Sequence, residues 1–426
     1  MNSSRPRLLL LACAFPPSRA VGAIRSGNLA KQLVRLGWDV TVATVDPGLL
    51  VDPDPAYADF PAWCREAGIR VIPTGLGQRM LYGVWKCRWW ERPSGVRKLS
   101  LAWADRLWRD IGSGWTGPVR KACAALRPGD VDLIMASGPP FLAFESARQL
   151  SRRLAVPLVL DYRDLWSMSP HDVRPAPKRV VRMERQLVEQ AAGITVISNR
   201  MAQCLDRAFG CANKLRLVTN GFDPAAFRQV EPTPFAQPTV VYAGSFYPPL
   251  RVIDPVVAAI AQANRTPLPG GREIRLLYLG GQNRVVEQAA RERDALRWVD
   301  FGGRVSRGEV LSALKGALAA AVITSVEPEA TPESDSILTG KLFEAMGAGA
   351  RVLMVAPAGS EAAQVVERTR AGKAFAGPDV AGMAAWLRQL AAGSGAGRDS
   401  EAGAYSWPEI ARRADAVLRE WLPQST

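Results

Sequence analysis

At 426 residues the chain exceeds what one hydrophobic core ordinarily supports, which points to two domains of about 200 residues each. With 48% hydrophobic and 22% charged residues it is composed neither as a disordered chain nor as a membrane-embedded one. Its six cysteines (Cys13, Cys64, Cys87, Cys123, Cys204, Cys211) form no CxxC and no cluster with the single histidine, which argues against structural zinc and a disulfide scaffold and favours a reducing cytoplasm.

Arg5 and Arg7 precede the apolar run Leu8 to Phe15, superficially like a secretion leader. Pro16-Pro17 and an amphipathic helical pattern (Leu29, Leu33, Leu36) follow at once, so the run reads as a buried first parallel strand, Leu8 to Ala14, feeding a helix. Further strands are expected at Val40 to Thr44, Ile69 to Ile72, Leu133 to Ala136, Leu158 to Leu160, Ile194 to Ile197 and Leu215 to Val218. After the Pro- and Phe-rich stretch Phe222 to Pro238, the best linker candidate, a second series begins. It comprises Thr239 to Ala243, Ile274 to Leu279, Trp298 to Phe301, Ala319 to Ile323 and Arg351 to Met354, and a last helix is expected over Glu409 to Leu422. Strands alternating with helical stretches make an α/β protein with two doubly wound, Rossmann-like domains and ligands at the carboxyl ends of the strands. The expected divisions are 1–225, 226–405, and a terminal helix 406–426 that returns to pack on the first domain. The stretch Ala391 to Ala404, rich in Ala, Gly and Ser, reads as a connector to that helix.

The loop after the first strand has no GxGxxG, Gly75-Leu76-Gly77 lacks the third glycine and reads as a turn, and there is no GxxxxGK[ST]. A nicotinamide dehydrogenase and a P-loop nucleotidase are therefore disfavoured. No stretch reaches the roughly 20 uninterrupted apolar residues of a spanning helix. The net charge of +14 is lopsided: residues 1–225 carry +13 and the remainder +1. Between Arg79 and Lys121 ten basic residues meet three acidic ones, interleaved with Trp85, Trp89, Trp90, Trp103, Trp108 and Trp115. Basic side chains with interfacial tryptophans suit an anionic membrane surface. The alternative is a plain basic face over core tryptophans. No nucleic-acid-binding motif accompanies the charge, so no nucleic-acid partner is expected.

Short motifs in a consistent order then carry a resemblance over nearly the whole chain. Phe15-Pro16-Pro17 with Arg25, Leu29 and Gly37 before Asp39-Val40-Thr41-Val42 resembles the opening of family 4 glycosyltransferases. So do Ser137-Gly138-Pro139-Pro140, Asp161-Tyr162-Arg163-Asp164-Leu165-Trp166, Val196-Ile197-Ser198 and Thr219-Asn220-Gly221-Phe222-Asp223, followed by Tyr242-Ala243-Gly244-Ser245 and Gly340-Lys341-Leu342-Phe343-Glu344. The resemblance implies a GT-B fold, two such domains facing a cleft. It also implies a retaining, metal-independent transferase of the hexosyl type, with a nucleotide-diphosphate sugar as co-substrate and no cofactor.

The residues themselves support a phosphate site. A Gly244-Ser245 turn brings backbone amides toward phosphate oxygens, and Arg251 adds a fixed charge for the leaving diphosphate. By resemblance Arg251 and Lys341 are the catalytic pair. Glu344 would accept hydrogen bonds from the ribose hydroxyls, with Val305, Ser336, Thr339 and Gly340 completing the donor site. Lys341 and Glu344 share a helix face, so a simple ion pair between them is the competing reading. A helix start near Ile337 to Gly340 would aim its free N–H groups at the diphosphate. The family often carries a second Glu eight residues before Glu344. Position 336 is Ser here, so Glu333, Asp335 or a hydroxyl contact stands in and the donor sugar is open.

On the acceptor side the candidates are Gly22, Arg25, Asp161, Arg163 and Asp164, against the alternative of a buried Arg–Asp network. Asp130-Val131-Asp132 precedes a strand, at the wrong end for a metal site, and reads as solvated turn carboxylates. His171 is the sole imidazole and a weak general-base candidate. Three classes follow: a transferase at the inner membrane face acting on a lipid-linked glycan in cell-surface polysaccharide assembly, a soluble transferase for a small acceptor, and a GT-B epimerase or non-catalytic binder.

Overall fold

The computed structural model describes residues 5–50, 52–76, 106–108, 110, 113–170, 174–393 and 401–423. Most of the tryptophan-rich stretch 79–121, together with His171 and Cys87, lies outside them. Two compact units divide the chain: Met1–Thr219 with Trp407–Thr426, and Asn220–Ser406.

The first unit is a seven-stranded parallel sheet in the order β3-β2-β1-β4-β5-β6-β7. Its strands are β1 (Arg7–Leu11), β2 (Asp39–Val45), β3 (Arg70–Thr74), β4 (Leu133–Gly138), β5 (Leu158–Tyr162), β6 (Gly193–Val196) and β7 (Leu215–Leu217). Central strands buried on both faces need uninterrupted apolar sequence, and Leu8, Leu9, Leu10 and Leu11 of β1 and Leu133, Ile134, Met135 and Ala136 of β4 are at most 1% exposed. The expected first strand ends three residues early, because Ala12 to Ala14 already lead into the Pro16-Pro17 turn. The chain returns to this unit through the helix Trp407–Glu420, which packs on the helix Val21–Arg35. Trp38 Nε1 donates to Asp415 at 2.6 Å, Arg216 pairs with Glu420 at 2.9 Å, and the Trp421 ring fills the space beside Gly193.

The second unit is a six-stranded parallel sheet in the order β10-β9-β8-β11-β12-β13. Here β8 is Thr239–Ala243, β9 Arg275–Leu279, β10 Val299–Phe301, β11 Ala319–Ile323, β12 Val352–Val355 and β13 Gly372–Phe375. The edge strand β13 escaped the sequence reading. It is four residues long, starts on a glycine packed against the β12 backbone and carries Lys373 in its middle, so it has no apolar run to mark it. In each sheet the order reverses direction beside the first strand, at β1/β4 and β8/β11. That is where loops diverge and leave a crevice at the carboxyl edge.

Asp130 and Asp132 sit at the opposite, amino edge of the first sheet. Asp130 is exposed, whereas Asp132 is half-buried and accepts from Arg7 Nη2 at 2.7 Å and Nε at 3.0 Å. This contact holds its carboxyl below the usual range. Asp130 accepts from the Arg127 N–H at 2.8 Å. Among the described residues no helix is long and apolar enough to cross a membrane.

Candidate functional site

In the second unit the turn after β8, the turn after β9 and the helix Gly340–Gly347 converge at the switch point. Gly244 has φ +127°, a conformation that side chains resist, and a Cβ there would lie 2.1 Å from Lys341 Nζ. Glycine is thus required twice over, for the turn and for the approach of the lysine. The Gly244 N–H continues the ladder to Leu279 O at 2.8 Å, so it is not available to a phosphate. That corrects the expectation of turn amides cradling the diphosphate: Phe246 N is also held, by Gln282 Oε1 at 2.6 Å, and of the turn amides Ser245 alone makes no hydrogen bond among the described residues.

Lys341 lies with Nζ 4.9 Å from the centroid of the Tyr242 ring, itself stacked on Phe246 and Tyr278. The ammonium is shielded from water and has no hydrogen-bond partner among the described residues, and buried Arg251 likewise leaves Nε unpartnered among them. Burial, and then repulsion from Arg251, push the lysine down to about 7 from its ordinary range, while Glu344 acts in the opposite sense. Two cations without a hydrogen-bonding counter-ion in a shielded position are costly unless something anionic fills the place. The Arg251 guanidinium also rests 5.2 Å from the Tyr247 ring centroid, and its backbone pairs with Tyr247 to close the turn.

The helix Gly340–Gly347 begins where the sequence placed it, with Thr339 as N-cap and its hydroxyl accepting from Lys341 N at 3.4 Å. Glu344 does not pair with Lys341. Its carboxylate takes Arg307, from Nε at 3.0 Å and Nη2 at 2.9 Å. Arg307 was missed: it opens the helix Arg307–Gly316, capped by the Ser306/Glu309 box and preceded by half-buried Val305. The capping box is visible in the sequence, but a contact spanning 37 residues is not. Tyr278 was missed as well. Its hydroxyl donates to Gly244 O at 3.1 Å and accepts from Gln282 N at 3.0 Å, tying the two turns together.

Ser336 is 2% exposed and its hydroxyl donates to Glu333 O at 2.6 Å, closing the short helix Pro332–Asp335. Asp335 accepts from Glu361 N at 2.8 Å, at the start of the helix Glu361–Arg368. Both are engaged in local structure, which leaves half-exposed Glu333 as the one of the two carboxylates not so engaged among the described residues.

In the first unit the acceptor-side candidates do gather at the β1/β4 switch point, in two different roles. Arg25 and Asp161, 2% and 1% exposed, form a buried pair with bonds of 3.1 and 2.7 Å. Ser137 and Thr195 donate to the same carboxylate at 2.7 and 2.8 Å, and Arg25 reaches Thr219 O and Val218 O. Arg25 and Asp161 are therefore the buried network and not surface contacts. Arg163 lies across Gly22, where a Cβ would collide with its guanidinium, and donates to Gly138 O at 3.1 Å and to Pro139 O. Asp164 is exposed beside it. Among the described residues no group of three or more His, Cys, Asp or Glu side chains is placed to hold a metal.

Two doubly wound parallel sheets, each with its switch point beside its first strand, make up the GT-B fold. Residues 22–221 match the family model of the glycosyl transferase 4-like domain, so this stretch of the chain is similar to family 4 glycosyltransferases. Solved structures agree on the fold. Sucrose-phosphate synthase from Thermosynechococcus elongatus superposes with a TM-score of 0.64 at 18% identity, over 98% of this chain and 99% of that one. Anabaena HepE in complex with UDP and glucose gives 0.63 at 18%, over 98% and 100%. The lipopolysaccharide outer core galactosyltransferase WaaB gives 0.58 at 12%, over 98% and 100%. A search of curated protein sequences returns no match.

Proposed function

We propose that the chain transfers a sugar, with retention, from a nucleotide-diphosphate sugar to a lipid-linked glycan in the assembly of a cell-surface polysaccharide. The observation that carries the donor side is the pair of shielded cations, Lys341 Nζ and Arg251 Nε, left without hydrogen-bond partners among the described residues where Gly244 makes room. A diphosphate supplies the charge they lack. As the bond from the sugar to the diphosphate breaks, the two cations stabilise the oxygen that takes the electron pair. The acceptor oxygen bonds to the same sugar carbon, and its proton passes to the departing phosphate. Positive charge at the leaving group comes from side chains in this scheme, so no divalent ion is required. HepE, with the same fold, is seen with UDP-glucose, which supports a nucleotide sugar as the ligand.

For the acceptor, support comes from charge. The excess of +13 in residues 1–225 continues on the exposed face of the helix Lys178–Gln190, where Lys178, Arg179, Arg182 and Arg185 point outward. Arg179 sits 5.4 Å from the Trp108 ring centroid and donates to Arg106 O at 3.2 Å. Such a surface suits anionic headgroups at the inner membrane face, where a lipid-linked acceptor lies. Cosedimentation with vesicles containing phosphatidylglycerol is expected at low salt and is lost as salt rises; no cosedimentation at low salt would count against membrane docking.

The donor reading is tested by a thermal-shift panel of nucleotide sugars, run with and without chelator. One nucleotide series is expected to raise the melting temperature by several degrees, equally in both conditions. Glu344→Ala is expected to abolish that shift, and an undiminished shift would remove Glu344 from the site.

A further inference from the structure

We propose that Arg307 is a positioning residue for the nucleotide half of the donor, holding the Glu344 carboxylate by one oxygen so that the other faces the ribose hydroxyls. The proposal rests on the donor reading above. Both Arg307 nitrogens bind Oε1 of Glu344, at 3.0 and 2.9 Å, and Oε2 has no hydrogen bond among the described residues. A fork that clasped both oxygens would block the carboxylate, whereas this one fixes it and leaves two lone pairs free.

The surroundings make the contact selective. Arg307 is the first residue of a helix whose start is set by a reciprocal capping box, so its backbone is fixed locally. The pair is sheltered, with side chains 33% and 20% exposed, which lifts it above a solvent-screened surface bridge. Without Arg307 the nearest cation on the Glu344 helix is Lys341, three residues away, and pairs at that spacing attract. Such a pair would neutralise the ammonium that the diphosphate needs. Arg307 therefore keeps the two charges apart: carboxylate toward ribose, ammonium toward phosphate.

The test is calorimetric titration of the full chain with UDP, GDP, ADP and CDP and with the 2′-deoxy form of whichever binds. In the wild type the ribonucleotide is expected to bind about tenfold more tightly than its 2′-deoxy form, the worth of one hydrogen bond to a charged group. In Arg307→Gln the ratio is expected to fall to within about twofold of unity, and in Arg307→Lys, a single point donor, to an intermediate value. Circular dichroism establishes that each variant is folded, and loss of fold alone does not alter the ratio of two nearly identical ligands. Undiminished discrimination in either folded variant overturns the proposal while the donor reading stands. Wild-type protein that binds a nucleoside diphosphate without distinguishing the 2′-deoxy form removes the role of Glu344 and this proposal with it. Binding of none of the four overturns the donor reading itself.

Discussion

Replacing Lys341 by alanine is expected to weaken binding of the nucleoside diphosphate about 100-fold, the largest single loss in the donor site. A charge-assisted contact to phosphate, made where water is excluded, is worth about 3 kcal/mol, and this ammonium has no hydrogen-bond partner among the described residues. The effect carries a signature in pH. Held at about 7 by burial and by Arg251, the empty lysine is largely neutral at pH 8, and a bound diphosphate restores its proton. Binding therefore takes up a proton above pH 7, and affinity falls toward tenfold per unit as pH rises, until the pKa of the occupied site is reached. Stability of the empty protein moves the other way. A lysine whose folded pKa is depressed favours unfolding while it is charged, so its cost is full below pH 7 and fades as pH climbs toward the ordinary lysine range. Titrations in buffers of different ionisation enthalpy read the proton directly. Lys341→Ala with affinity unchanged, or binding that takes up no proton at pH 8, would show that Lys341 does not meet the phosphate.

The second large effect is on stability. Asp161→Ala removes the carboxylate paired with Arg25 in the first core, where Arg25 is 2% exposed, and takes an acceptor away from Ser137 and Thr195. Breaking a buried pair from one side costs about 3 to 5 kcal/mol, which for a unit of this size lowers the melting temperature by about 10 °C. A drop of less than about 2 °C would be typical of a surface substitution and would return Asp161 to the acceptor candidates. Differential scanning calorimetry decides it. The network has a positional consequence: it joins the helix Val21–Arg35 to the carboxyl ends of β4, β5 and β6, and so fixes the loops that present Gly22 and Arg163.

Much of the fold is legible in the amino-acid order. Leu8 to Leu11, Leu133 to Ala136 and Ala319 to Ile323 read as buried parallel strands because a strand covered on both faces needs continuous apolar sequence, and twelve of the thirteen strands among the described residues are expected from the sequence. The helix carrying Lys341 and Glu344 is marked by Thr339 at its cap and by the polar loop before it. Gly244 is legible too, since a glycine directly after an apolar strand signals a turn that only it can make.

What the order of residues could not reveal is who meets whom. Lys341 and Glu344 are neighbours on one helix and look like an ion pair, yet Glu344 takes Arg307, and Lys341 lies against Gly244 and the Tyr242 ring. Ser336 and Asp335, expected to reach a sugar, are engaged at helix ends, and the Gly244 amide expected for phosphate is part of the sheet. Asp161, Arg163 and Asp164 read equally as acceptor contacts or as a buried Arg–Asp network until burial decides. The physical reason is common to all of these. Periodicity and turn chemistry are local and determine strands, helices and their ends, whereas the partner of a charge depends on which loops the parallel sheets bring to one edge, and on how little water is left there.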